Sequence, residues 1–427
     1  MSKGNGKKTK ILWVGDGVAP TGFARVNHNI IKNLSENYEV HHLAINYRGD
    51  PHEYAHKIYP AAVPTANMQD VWGFARFVNL IAVIRPDIIF ILNDPWVIQQ
   101  YLALIIEAKG RIPNIEKIPV VVYFPVDATE HDAYWFRDYN ELVKKVCVYT
   151  EFGKRVILET GAVNPSIIEI IPHGTAKDTF YPIKDIKDAK GNIIKTGMQL
   201  AREAILPITQ KPELLNSFIV LNANRNQPRK RIDITIKAFA KFVKDKPKNV
   251  KLYLHMGTQD MGWDIVKLAV RYSFDERLII TSNSPSLSWV PDEKLNMIYN
   301  ACDVGLNTSM GEGWGLCSWE HAATGRPQIV GDHSVSRELW GDNAIYIPTI
   351  ADHLYEITHT CGKVVSVDGT VEALELAYQD WLKGGEMLRK LGQNSYRLVR
   401  QNKYDWKNVA KQFEKVFEEI NVNYVAT

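Results

Sequence analysis

Two consecutive doubly wound α/β domains are what this chain of 427 residues predicts. Three observations carry that reading. Short, nearly continuous apolar runs rich in β-branched residues alternate with segments of helical spacing, the pattern of parallel strands covered on both faces. The alternation runs through two series, one before about residue 182 and one after residue 216, with a charged stretch between them. The length exceeds the ~100–200 residues of an ordinary domain. A content of 45% hydrophobic and 23% charged residues is that of a globular protein, not a disordered one.

In chain order, residues 11–14, 39–45, 87–92, 119–124, 146–149 and 167–171 read as the first series of strands. The most apolar region, 71–92, is broken by Arg76, Asn79, Arg85, Pro86 and Asp87. A membrane span needs ~20 nearly uninterrupted apolar residues, so this is a helix, a proline and a buried strand. The segment 184–197 is charged and carries a Gly-Asn turn, a surface excursion; 198–206 reads as a short helix. The second series of strands is 217–222, 250–255, 278–281, 304–307, 328–330 and 344–347. Ile232, Ile236, Phe239 and Val243 form one helix face between its first two members. Trp406, Val409, Phe413, Val416 and Ile420 give the tail an apolar face of the same period. The expected division is a flexible basic tail at 1–10, a first domain at 11–205, a second at 206–400, and a helix at 401–427 returning towards the first.

Charge and cysteine usage exclude several classes. Fifty-one Lys and Arg against 48 Asp and Glu leave +3, too balanced for binding polyanions by bulk charge. Cys147, Cys302, Cys317 and Cys361 are scattered and form no C-x-x-C pair, which excludes a disulfide scaffold and a zinc ribbon and suits a reducing cytoplasm. The apolar run after the basic start is too short for a signal peptide. A cytoplasmic protein with no transmembrane segment is expected.

Three familiar motifs fail. Gly15, Asp16 and Gly17 follow the first strand, but Pro20 stands at the third glycine of a dinucleotide fingerprint and Asn46 where its carboxylate belongs. Neither a P-loop nor a D-x-D tripeptide occurs. His41 and His42 read as a strand pair, because no third ligand falls at metal spacing.

Two segments of the second series do carry chemistry. Arg225 and Lys230 follow its first strand, at the carboxyl edge where open α/β sheets bind ligands. Fixed cations there can neutralise a diphosphate leaving group without a metal. The segment 310–327 supplies Gly311, Glu312, Gly313, Trp314, Gly315 and Leu316, then a helix bearing Glu320 and ended by Gly325. Its glycines let backbone approach a ligand, and carboxylates eight residues apart reach different hydroxyls of one extended molecule. The segment 291–304 reads as architecture, with Tyr299 in the core.

These motifs resemble the retaining GT-B glycosyltransferases of the family 4, or group 1, type. Glu312 and Glu320 match that family's E-x7-E signature, with Gly313, Trp314, Gly315 and Leu316 inside it. Arg225 and Lys230 match its Arg-x4-Lys pair. Ile171 to Gly174 and Phe180 to Pro182 resemble the close of its first domain, and Pro20 to Phe23 its first glycine loop. Arg85 to Asp87 and the Trp406 helix fit as well. Thr21 replaces the first glycine of that loop, leaving Gly22. The family's His-Asp position reads Phe124, Pro125, Val126, Asp127, so only Asp127 carries over.

The resemblance implies two Rossmann-like domains facing each other across a cleft. It implies an enzyme that moves a sugar, with retention, from a nucleotide-diphosphate sugar such as a UDP or GDP sugar to a hydroxyl acceptor. Arg225 and Lys230 would hold the diphosphate, with Glu312 the third catalytic residue. Glu312 and the backbone of Gly313, Trp314, Gly315 and Leu316 would hold the sugar, Glu320 the ribose, Asn283 the base side, and Gly22 the donor from the first domain. Phe23, Asp94 and Asp127 are the acceptor-side candidates. No metal and no cofactor is expected. Trp96, Tyr134 and Trp135 beside Asp94, Asp127, Glu130 and Asp132 favour a glycan or polyol acceptor. A nucleic-acid base is the alternative acceptor, for which the basic tail speaks. A nucleotide-sugar 2-epimerase and a non-catalytic nucleotide-sugar sensor are the alternative functions.

Overall fold

The computed structural model describes residues 8–62, 64–65, 68–286 and 289–425, which form two compact units: the described residues up to 174 together with those from 403 onwards, and those of 175–402. In the first unit the elements run β1 (Thr9–Asp16), α1 (Gly22–Asn33), β2 (Tyr38–Ile45), β3 (Lys57–Pro60), α2 (Phe74–Ile84), β4 (Ile88–Leu92), α3 (Pro95–Ala108), β5 (Val120–Phe124), β6 (Val143–Val148), α4 (Glu151–Glu159) and β7 (Ile168–Ile170). The seven strands form one parallel sheet in the order β3-β2-β1-β4-β5-β6-β7. Its middle is fully buried: Ile11 to Val14, Ile88 to Leu92 and Val120 to Phe124 are at most 1% exposed. That is why these runs carry no polar alternation. The order reverses between β1 and β4, the switch point beside which open α/β sheets leave a crevice.

The second unit contains α5 (Gly197–Ile205), β8 (Phe218–Asn222), α6 (Ile232–Phe242), β9 (Val250–Leu254), β10 (Leu278–Ile280), α7 (Asp292–Ala301), β11 (Val304–Asn307), α8 (Leu316–Ala322), β12 (Gln328–Gly331), β13 (Ile345–Ile347), α9 (Val367–Leu382) and α10 (Glu386–Val399). Its six-stranded parallel sheet has the order β10-β9-β8-β11-β12-β13, with the switch point between β8 and β11. The face of α6 read from the sequence packs into this core: Ile232, Ile236, Phe239 and Val243 are buried.

The last helix, α11 (Trp406–Val425), belongs to the first unit. Phe413 meets Phe90 edge-on at 5.4 Å, and Trp406 lies so close to Gly174 that a Cβ there would stand 2.4 Å from its ring.

The structure corrects the expected division in two places. The boundary falls at 174/175, not 205/206. A nearly buried ion pair holds α5 to the second unit: Arg202 donates to Asp303 Oδ2 at 2.7 Å and to the Ala301 carbonyl at 2.8 Å. Asn296 and Asn300 of α7 also bond the backbone of Tyr181 and Ile183. The expected flexible tail at 1–10 lies outside the described residues as far as residue 7, whereas Thr9 and Lys10 are part of β1, pinned by the Lys10 N–H to Asp87 at 2.8 Å. Strand β3 was not expected: Lys57–Pro60 is short, ends in proline and sits at the sheet edge, where such residues are tolerated.

Candidate active site

β8 and β11 are adjacent and parallel, so the loops that follow them leave the sheet side by side at the switch point. Those loops hold 223–231 and 308–315. Cross-links fix them to each other. The Met310 N–H donates to the Arg229 carbonyl at 2.9 Å, and the Thr308 hydroxyl donates to the Arg231 carbonyl at 3.0 Å and meets the Thr235 hydroxyl at 2.7 Å.

The result is a close meeting of two predicted residues. Lys230 Nζ donates to Glu312 Oε1 at 2.6 Å and Oε2 at 2.8 Å, with both side chains about one-tenth exposed. Asn307, at the end of β11, donates to Glu312 Oε1 at 3.0 Å, and Arg229 lies 3.8 Å from Oε2 while donating to the Gly311 carbonyl. Burial pushes the Glu312 carboxyl up, but the charges of Lys230 and Arg229 outweigh it and hold the group at about 2. Burial, then Arg229, lowers Lys230 below the usual lysine range. Gly315 caps α8 at φ +85°, a left-handed conformation that suits glycine, and lets the chain turn from the loop into the helix.

Arg225 is placed differently. It makes a two-pronged ion pair with Asp260 at 2.7 and 3.1 Å and is 40% exposed. Arg231 likewise pairs with Asp233 at 2.9 and 3.0 Å. Each of the four cations at the head of α6 therefore has a carboxylate, which relieves their conflict with the helix dipole. Glu320 is buried on α8 and accepts from the Tyr299 hydroxyl at 3.1 Å, so Tyr299 is more than core. Asn283 is exposed on the loop after β10, with Trp289 exposed farther along it. Trp314 is buried, and Gly313 and Leu316 complete the loop and the first turn of α8.

Sequence reasoning missed Asn307, His333 and Ser334. The Ser334 hydroxyl accepts from the Glu312 N–H at 3.2 Å, and His333 contacts that hydroxyl at 3.1 Å and the Ser309 carbonyl at 2.7 Å. Asn307 and His333, with Trp314, Ser318 and Ser336, line a small cavity against Glu312. His333 and Ser334 follow β12, the next strand along the sheet, and that adjacency was the available signal.

In the first unit, β1, β4 and β5 are neighbours, so the loops bearing Gly22 and Phe23, Asp94, and Asp127 share one edge. Thr21 caps α1 and donates to Asp16 at 2.6 Å; Gly22 is exposed, and Phe23, Asp94 and Asp127 are half-buried. Tyr134 is 61% exposed under the Arg137 guanidinium, while Trp96 and Trp135 are half-buried. His131 lies within electrostatic reach of Asp127, and its burial lowers it to about 4.

Residues 207–398 match the family model of the glycosyl transferases group 1. The matched span lies within the second unit. The matched span contains every motif residue of the donor site named above except Gly22. Comparison with curated protein sequences gives no match. Among solved structures, sucrose-phosphate synthase from Thermosynechococcus elongatus superposes with a TM-score of 0.69 at 16% identity, over 99% of this chain and 100% of that one. Anabaena HepE, in complex with UDP and glucose, gives 0.66 at 15% identity, over 96% and 100%. WaaG, a glycosyltransferase involved in lipopolysaccharide biosynthesis, gives 0.65 at 13%, over 95% and 99%. The chain has the fold of these proteins, GT-B, and no helix among the described residues is long and apolar enough to cross a membrane.

Proposed function

We propose that the chain is a retaining, metal-independent glycosyltransferase that moves a sugar from a nucleotide-diphosphate sugar to a hydroxyl of a glycan or polyol. One observation carries this reading: Lys230 and Glu312, from two different motifs, form one nearly buried pair beside the glycine turn of a group 1 transferase domain. A diphosphate gains charge as its bond to the sugar breaks, and Lys230 and Arg225 are the cations fixed at the switch point to receive it. Glu312, kept ionised by Lys230 and Arg229, accepts hydroxyls of the sugar. Glu320 accepts the ribose hydroxyls, and the base lies towards Asn283. The departing phosphate takes the acceptor proton on the same face, so no side-chain nucleophile is used and the anomeric configuration is kept. The UDP in HepE makes UDP sugars the first donors to try.

The test is product analysis. With a UDP or GDP sugar and a glycan or polyol acceptor, the coupling constant of the new anomeric proton is expected to match that of the donor. Adding Mg²⁺ or Mn²⁺ is expected to give no gain in rate. An inverted product, or a rate that depends on either ion, contradicts the scheme.

Two further outcomes follow. Glu320→Gln is expected to raise the donor KM with kcat little changed, since ribose contacts are alike in ground and transition states. Acceptor binding is expected to weaken little between low and physiological salt. A slope of log K against log salt near −0.9 per phosphate contacted would instead identify a nucleic-acid acceptor.

A further inference from the structure

Three histidines distant in sequence meet in the first unit. His28 lies on α1, His42 on β2, and His56 immediately before β3. One ring nitrogen from each lies within 4.8 Å of the other two, so the third partner denied to His42 by sequence spacing comes from the fold. The adjacent His41 points to the opposite face of β2, towards Tyr59 and Glu39.

The hydrogen bonds settle which nitrogens are available. His28 Nε2 donates to the Gly17 carbonyl at 3.0 Å, and His42 Nε2 donates to the Gly15 carbonyl at 3.1 Å. Each therefore carries its lone pair on Nδ1. His42 Nδ1 faces His56 Nε2 at 3.2 Å, and His28 Nδ1 is buried with no hydrogen-bond partner. A neutral His42–His56 hydrogen bond would account for two of these atoms and leave the third orphaned in the interior, which is costly. A cation bound by all three satisfies each of them.

We propose that His28, His42 and His56 form a Zn²⁺ site with an open fourth position. A tetrahedral zinc with nitrogen ligands at ~2.0–2.1 Å sets neighbouring nitrogens about 3.3 Å apart, the spacing already present between His42 and His56. The third ligand is His28, one ring nitrogen of which lies within 4.8 Å of those of His42 and His56. The carbonyls of Gly15 and Gly17 fix tautomer and ring plane as the outer partners of metal-bound imidazoles do. The ring of Tyr54 stacks on His28 and restrains it further. Burial keeps the imidazoles neutral at pH 7, with His28 and His56 held at about 4 and His42 lower. Such an ion would staple α1, β2 and the irregular stretch 48–56 together. The site lies wholly within the first unit and does not rest on the function proposed for the second.

The test uses the full chain, stripped with a chelator, dialysed, and titrated with Zn²⁺ against a chromophoric competitor. One Zn²⁺ per chain is expected, with a rise in Tm, and Co²⁺ is expected to give the visible bands of a four-coordinate ion. His28→Asn and His56→Ala, both at half-buried positions, are each expected to weaken Zn²⁺ by more than the roughly 10–100-fold that loss of an outer partner costs. Metal-free Tm values close to that of the stripped parent show that these variants fold. His131→Ala, in the same unit, is expected to keep one Zn²⁺. Absence of stoichiometric Zn²⁺ binding, or binding undiminished in His28→Asn and His56→Ala, overturns the proposal.

Discussion

Removing Arg225 together with its partner, as Arg225→Ala/Asp260→Asn, is expected to lower kcat by about 10²–10³ with only a small change in Tm. The paired substitution matters because Asp260 is only 7% exposed, and Arg225→Ala alone would leave its carboxylate without a partner. Arg225 is 40% exposed, and half-exposed ion pairs contribute little, ~0–1 kcal/mol. A cation that meets the growing charge of a leaving diphosphate contributes far more, about 2.7–4 kcal/mol in the transition state. Asp260→Asn alone frees the guanidinium and is expected to keep kcat within a few-fold of the parent. Steady-state kinetics and thermal unfolding of the three proteins check this; equal kcat in the parent and the double variant would remove Arg225 from the mechanism.

Lys230→Met is expected to abolish activity and also to destabilise the second unit by ~3–5 kcal/mol, since it leaves Glu312 nearly buried and uncompensated. Lys230→Met/Glu312→Leu should regain most of that stability while staying inactive. The pair also predicts a pH dependence. Glu312 has a folded value of about 2 against 4.5 unperturbed, so the unfolded chain binds its proton at the higher pH. Its contribution is therefore complete above about pH 4.5 and is lost as pH falls towards 2. At 1.36 kcal/mol per unit it is on the order of 3 kcal/mol. Urea unfolding at pH 7 and pH 3 reads it, as a loss in the parent that the double variant lacks. An unchanged midpoint in Lys230→Met would show that the pair does not support the fold.

Features that depend on local pattern were legible in the sequence. Both sheets follow from strands that are apolar throughout, and the face of α6 from its 3.6-residue period. The meeting of Lys230 with Glu312 follows from two motifs placed after strands that must be neighbours in a doubly wound sheet. What escaped was set by contacts far apart in the chain. The boundary at 174/175 depends on Arg202 reaching Asp303, a polar pair buried 101 residues away. Asp260 occupies Arg225 from a loop with no motif of its own, and His333 joins the site only because β12 lies beside β11. The three histidines fail every local spacing rule, since α1, β2 and the approach to β3 meet only once the sheet forms.

Nucleotide binding tests the central claim most directly, because diphosphate recognition by the second unit underlies every role proposed for the donor site. Thermal unfolding of the full chain should be followed with a panel of nucleoside diphosphates and their sugars, in the parent and in Arg225→Ala/Asp260→Asn. One nucleoside diphosphate is expected to stabilise the parent by ~2.7 kcal/mol at 100 times its Kd, with a much smaller shift in the variant at the same concentration. A parent whose Tm is unmoved by every member of the panel, or a variant that shifts as far as the parent, would contradict the account.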